Sequence, residues 1–148
     1  MNVIEIEPPR LAKPSPVDYQ SESRESEAIR KVEDSIAYMK RHLDMPLQAS
    51  TLVARANVSP SSFFTMFKRH VGHTPIDYFI RMRMRRACRL LEETGMSVKS
   101  VAYALGYNDP FYFSRIFKSF NRIAPSEYRS LILGTRKAQL KNGASCQD

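Results

Sequence analysis

The sequence predicts an all-α fold of seven helices, arranged as two helix-turn-helix subdomains joined by a long linker helix. Three observations predict it. First, Ser59-Pro60-x-x-Phe63-x-x-x-Phe67-Lys68 returns fifty residues later as Asp109-Pro110-x-x-Phe113-x-x-x-Phe117-Lys118. Pro75 and Tyr78 follow the first copy as Pro125 and Tyr128 follow the second, so six positions between Pro60 and Tyr78 are identical at that offset. Second, apolar residues recur at three and four, and no alternating run competes for a strand. Third, Gly72, Gly95 and Gly106 fall where a helix should stop, three of the five glycines.

The elements follow in order. Residues 1–24 hold a proline cluster and then a Ser- and Glu-rich stretch. They are expected to be a disordered extension, because they cannot bury enough surface to offset the entropy of ordering. The first helix is predicted from Glu25 to Leu43, with Ile29, Val32, Ile36, Met39 and Leu43 on one apolar stripe. The second covers Gln48 to Ala56 with Leu47 and Leu52 facing inward, and Asn57-Val58 turns the chain, since Asn tolerates the left-handed backbone. Ser59 caps the third helix, with Pro60 at the first helical position where no N–H is needed, and the helix continues to His70. Thr74 and Pro75 open the fourth, which runs to Thr94 on Ile76, Phe79, Ile80, Met84, Ala87, Leu90 and Leu91. Ser97 caps a fifth helix ending near Leu105; Asp109-Pro110 starts the sixth, ending near Phe120. Pro125 begins a short seventh through Tyr128 toward Leu131, and residues 132–148 are expected to form a flexible basic tail. The double helix-turn-helix domain therefore spans 25–131: a first unit at 25–74, the linker helix at 75–94 and a second unit at 95–131.

Charge sharpens this outline. The net charge of +8 is distributed unevenly: residues 1–27 carry three basic and six acidic side chains, whereas residues 44–128 carry twelve and six. Positive excess on the repeated region is the footprint of a polyanion binder. The 43% hydrophobic content supports a core, and no apolar run is long enough to span a membrane. The N-terminal sequence does not read as a secretory signal. Cys88 and Cys146 are too few for a disulfide framework, which fits a reducing cytoplasm.

In a helix-turn-helix the second helix can enter the major groove of DNA while the first braces it. Phe63 and Phe67, like Phe113 and Phe117, lie one turn apart and anchor the inner face of each probe. The opposite faces are left for bases: Ser61, Ser62, Phe64 and Thr65 in the first, Phe111, Tyr112, Ser114 and Arg115 in the second. Arg115 can fork onto guanine O6 and N7 or meet a phosphate. Phe64 can point to thymine methyls or fold inward against the first helix, and Phe111 poses the same question. Ser59, Lys68, Arg69, Arg81, Arg85, Arg86, Asn108 and Lys118 are phosphate candidates, fixing register without reading sequence. Arg83 and Arg89 complete the run of arginines expected on the exposed side of the linker helix. That helix, about twenty residues long, spans roughly 30 Å. The spacing suits two probes one duplex turn apart, about 34–36 Å, on a single chain.

Tyr78-x-x-Arg81-x-Arg83-x-x-x-Ala87-x-x-Leu90-Leu91, then Val98-x-x-Val101-Ala102-x-x-x-Gly106-Tyr107-x-Asp109-Pro110-x-Tyr112-Phe113-Ser114-Arg115-x-Phe117-Lys118, and finally Ala124-Pro125-x-x-Tyr128-Arg129, resemble the AraC/XylS family of bacterial transcription regulators. The resemblance covers roughly Ile29 to Leu131. It implies a two-probe, monomer-capable domain that binds double-stranded promoter DNA and usually activates transcription by contacting RNA polymerase. It also implies that the second probe can serve mostly as a backbone contact. Against the family pattern, Val53 stands where Ala is usual, Asn57 where Gly is usual, and Asn121-Arg122 where Gly usually follows the second probe. Longer relatives carry an effector-binding or dimerisation domain, so the chain is expected to be either a short stand-alone regulator or a piece of a longer one.

Two rival functions compete with this one: a helical adaptor binding only protein through the aromatic faces around Phe64 and Phe111, and a fragment of a nucleic-acid enzyme. The chain shows no glycine-rich phosphate loop, nucleophile elbow or Cys-x-x-Cys pair, so no catalysis and no cofactor are expected. His70, His73 and Cys88 do not complete a metal set.

Overall fold

A computed structural model describes residues 16–144. Among them are seven helices and no strand: α1 (Pro16–Arg41), α2 (Ala49–Ala56), α3 (Pro60–Val71), α4 (Pro75–Glu93), α5 (Val98–Ala104), α6 (Pro110–Asn121) and α7 (Pro125–Ala144). The all-α class and the order of elements are those the sequence predicts.

The helix starts are set by local chemistry. Ser59, Thr74 and Ser97 each accept a hydrogen bond from the backbone N–H three residues on, at 3.3, 3.2 and 3.0 Å, while Asp109 accepts from the Phe111 N–H at 2.9 Å. Each bond satisfies one of the N–H groups that a helix start leaves unpaired, stabilising by about 1 kcal/mol. The stops are equally local. Asn57 closes α2 in the left-handed region at φ 53, as its side chain permits, and Gly72 closes α3 at φ 83.

Two cores form, and α4 serves both. The first gathers Val32 and Met39 of α1, Leu52 and Ala56 of α2, Phe63 and Phe67 of α3, and Phe79 and Met82 of α4. The second gathers Met84, Ala87 and Leu91 of α4 with Val101 and Ala102 of α5, Leu105 and Tyr107 of the following turn, and Phe113 and Phe117 of α6. The allegiance of α4 changes between Met82 and Met84. Two helix-turn-helix units thus share one rod of 19 residues, about 28 Å long at the α-helical rise.

Several boundaries differ from the sequence expectation. α1 begins at Pro16, not Glu25: Pro suits a first helical turn, and Gln20, Glu22 and Arg24 have helix propensity without needing an apolar stripe. Residues 1–15 of the expected disordered extension lie outside the described residues. α7 runs to Ala144 instead of ending near Leu131, passing through Gly134, where an added Cβ would face open space. Leu, Arg, Lys, Ala and Gln around that glycine offset its cost of about 1 kcal/mol. Arg136 also ties the extension to the rest of the fold by donating to the Glu92 carbonyl at 2.8 Å. The stretch expected as a tail is therefore helical to Ala144, and residues 145–148 lie outside the described residues.

Two supposed core residues are exposed. Ile29 is 42% and Ile76 53% accessible. In α1 the inward stripe runs through half-buried Ala28 and buried Val32, and then continues through Ser35, whose hydroxyl is satisfied by the Lys31 carbonyl at 2.9 Å. Periodicity alone did not separate Ile29 from its neighbour Ala28. Ile76 sits in the first turn of α4 next to buried Pro75, on the side of the helix that faces away from the core.

Candidate nucleic-acid interface

The two probe helices are built alike from the inside. In α3 the Phe63 and Phe67 rings lie 5.9 Å apart with Tyr78 edge-on to Phe67 at 5.8 Å. In α6 the Phe113 and Phe117 rings lie 6.0 Å apart with Tyr128 edge-on to Phe117 at 5.6 Å. All four phenylalanines are wholly buried, each worth about 1.5–3 kcal/mol over exposure. This anchoring fixes which face of each helix looks outward.

On α3 the outward face carries Ser61, Ser62, Phe64, Thr65, Lys68 and Arg69, all exposed. Ser59 and Ser62 are coupled: the Ser59 hydroxyl donates to the Ser62 hydroxyl at 2.8 Å while it caps the helix. Phe64 does not turn against α1. It packs edge-on to Phe63 at 5.9 Å and lines a shallow apolar groove with Val53, Ala54, Val58 and Pro60, leaving 36% of the residue accessible. Ser61, Ser62, Thr65 and Arg69 share a second cleft with Arg24, Glu25 and Ala28 of α1. There Glu25 faces Arg69 at 3.9 Å and His70 at 3.6 Å. Arg24 joins the expected site only through the early start of α1, which the periodicity of the sequence does not reveal.

On α6 the outward face carries Phe111, Tyr112, Arg115 and Lys118, with Asn108 exposed in the preceding turn. Phe111 is the most open of the large apolar side chains described, at 81%. Tyr112 is braced against Tyr107, their ring centres 6.2 Å apart, and the Arg115 guanidinium lies 5.8 Å from the Tyr112 ring centre. Arg115 thus projects from an aromatic ledge. Ser114 is only half-buried and its hydroxyl donates to the Pro110 carbonyl at 2.9 Å, so its proton is already committed to the helix.

The arginines of α4 divide. Arg85, Arg86 and Arg89 are exposed and line a basic cleft with Lys40 and the edges of Leu43, Tyr78 and Met82. Arg81 is partly held: its Nε donates to Asp77 at 3.1 Å and its guanidinium lies 5.2 Å from the Phe120 ring centre. Arg83 departs from the expectation altogether. It is buried, at 7% accessibility, with Nε donating to the Leu43 carbonyl at 3.0 Å and Nη2 donating to the Met45 carbonyl. The reason is its place on α4, four residues after buried Phe79 and four before buried Ala87, on the core side of the rod.

Away from the outward faces, burial pushes the Tyr107 phenol above its ordinary pKa, with the neighbouring Arg83 pulling it back. Burial also raises Tyr128, which further donates its hydroxyl to Glu92, and raises the half-buried Cys88 thiol beside it. These groups stay neutral near pH 7, and the Tyr128–Glu92 bond braces α7 against α4. Among the described residues no group of three or more His, Cys, Asp or Glu is placed to hold a metal ion.

The helix-turn-helix domain family matches residues 52–130, from α2 into α7. A transcriptional regulator structure from Chromobacterium violaceum, described as an AraC-type DNA-binding domain-containing protein, is 26% identical. It aligns at a TM-score of 0.64 over 68% of this chain and 90% of its own. The chain belongs to the AraC-type helix-turn-helix family. The DNA-binding domain of AdpA, a global transcriptional factor solved in complex with a target DNA, is 29% identical with a TM-score of 0.68, covering 72% of this AraC-type chain and 96% of that one. Among curated relatives, the MmsAB operon regulatory protein of Pseudomonas aeruginosa is 38% identical over 96 residues, which are 65% of this chain and 31% of the relative. The transcriptional regulator CdhR of the same organism is 32% identical over 103 residues, 70% of this chain and 31% of the relative. The chain thus spans about a third of the length of the curated AraC-type relatives it matches.

Proposed function

We propose that this AraC-type chain is a sequence-specific transcription regulator that inserts α3 and α6 into successive major-groove segments of one promoter duplex. The observation that carries the proposal is the twofold one: two helices with matching buried aromatic anchors present exposed polar and basic faces from a common 19-residue rod. A rod of about 28 Å approaches the 34–36 Å between successive groove exposures on one side of B-form DNA. The relatives' names, an operon regulatory protein and a transcriptional regulator, and the DNA-bound AdpA domain support the same reading. Arg115, Ser61, Ser62 and Thr65 serve as base contacts, Phe111 and Phe64 as apolar partners for thymine methyls, and Lys68, Arg69, Lys118, Arg85 and Arg86 as phosphate contacts. Activation through contact with RNA polymerase is the regulatory outcome the family resemblance supports.

The test is a salt titration of duplex binding combined with footprinting. If six or more basic side chains meet phosphates, log affinity falls with log salt at a slope of about −5 or steeper, and protection covers two groove segments on one face. A slope near zero would instead point to a protein-binding adaptor, and protection of a single segment would remove the second probe from the reading.

A further inference from the structure

We propose that Arg83 is a positioning residue that sets the angle between the two helix-turn-helix units, and thereby the half-site spacing the chain accepts. The proposal rests on the two-probe reading above. A buried guanidinium is costly unless its donors are satisfied, and while the carbonyls that satisfy Arg83 lie in the first unit, the aromatic rings that flank it come from both cores. Its Nε and Nη2 donate to the Leu43 and Met45 carbonyls, in the connection between α1 and α2 of the first unit. Its guanidinium carbon lies 4.5 Å from the ring centre of Phe79, in the first core, and 4.9 Å from that of Tyr107, in the second. It sits between Met82 and Met84, where α4 passes from one core to the other.

The two units also touch there with no slack. Gly106, in the turn of the second unit, has φ 79, and a Cβ at that position would stand 2.6 Å from the Asp44 carbonyl oxygen and 2.8 Å from Arg83 Nη2. The second unit's turn is thus seated directly on the first unit's α1–α2 connection, with Arg83 filling the joint. A single helix fixes distance well but resists bending and twisting less, so a satisfied wedge beside it adds the missing constraint. Arg129 supplies an internal comparison. It donates to the Leu91 and Met96 carbonyls in the same manner, but these acceptors lie in the last turn of α4, beside the second core, and in the α4–α5 connection that follows it. Arg129 braces one unit, whereas Arg83 spans two.

The experiment uses the whole chain and duplexes carrying its selected site, the same site with half-sites moved by one or two base pairs, and each half-site alone. Wild type is expected to show a sharp spacing optimum and a large excess of full-site over half-site affinity. Arg83→Met is expected to lower the full-to-half-site ratio roughly tenfold or more and to flatten the spacing profile. Arg129→Met is expected to lower thermal stability while keeping both. Loss of folded protein scales binding to every duplex equally, so these ratios are insensitive to it. Should Arg83→Met not fold, Gly106→Ala disturbs the same joint and is expected to move or broaden the optimum. An unchanged optimum and ratio in a folded Arg83→Met or Gly106→Ala protein overturns the role of Arg83. A wild type indifferent to the second half-site overturns the two-probe reading, and this inference with it.

Discussion

Gly72 and Arg122 close α3 and α6 at matching points of the repeat, both in the left-handed region, at φ 83 and φ 70. Each N–H makes the same bond at 2.8 Å, to the Lys68 and Lys118 carbonyls respectively. Glycine adopts that backbone freely, but a side chain does so at a cost of about 1–2 kcal/mol. Arg122→Gly should therefore stabilise the protein by roughly 0.5–1 kcal/mol, the gain being trimmed by the greater freedom of glycine in the unfolded chain. Urea unfolding checks it, and a variant less stable than wild type would show that the Arg122 side chain contributes more than its backbone strain removes.

The outward face of α6 makes a graded prediction. Arg115 projects from Tyr112, while the Ser114 hydroxyl is bonded to Pro110. Arg115→Ala should cost about 1–3 kcal/mol on the preferred duplex and relax base preference at one position. Ser114→Ala should leave that preference intact. Competition binding against single-base variants of the site measures both. A uniform loss across all sequences on removing Arg115 would make it a phosphate contact.

The aromatic anchors predict equal structural roles in the two repeats. Phe67 and Phe117 are both wholly buried and each meets a tyrosine edge at similar distance. Phe67→Ala and Phe117→Ala should each destabilise by about 3–5 kcal/mol. Calorimetry showing one substitution to be nearly neutral would mean that its unit repacks around the cavity.

Cys88 supplies a prediction in pH. Burial raises its thiol above the ordinary value near 9.0, with Glu92 adding to the shift. The fold favours the neutral thiol, so this contribution to stability is complete below the ordinary thiol pKa and is lost as pH rises through the raised one. In a Cys146→Ser background, Cys88 should react with iodoacetamide at pH 8 more slowly than a free cysteine and accelerate in urea. Reaction as fast as that of the free amino acid in native buffer would contradict the assignment.

The sequence made the helix starts legible because capping is local: Ser59-Pro60, Thr74-Pro75, Ser97 and Asp109-Pro110 carry their own hydrogen-bond acceptors. The duplicated Phe-x-x-x-Phe spacing likewise showed which face of each probe is buried. Legibility failed where the deciding partner is distant in the chain. Arg83 read as one more exposed cation until Leu43 and Met45, some forty residues away, became its acceptors. α7 looked short for the same reason, since its anchor, the Glu92 carbonyl, is remote, whereas Ile29 looked like core because periodicity does not separate it from Ala28.

By itself the sequence determined the all-α class, the two repeated units, their inner and outer faces and the basic character of the outer ones, since period, caps and charge are properties of neighbouring residues. Only the tertiary structure decided how the two units are seated on each other, which arginine of α4 is buried, and that the α1 overhang brings Arg24 and Glu25 beside α3. Those outcomes depend on desolvation and on carbonyls that become acceptors only when remote segments pack together.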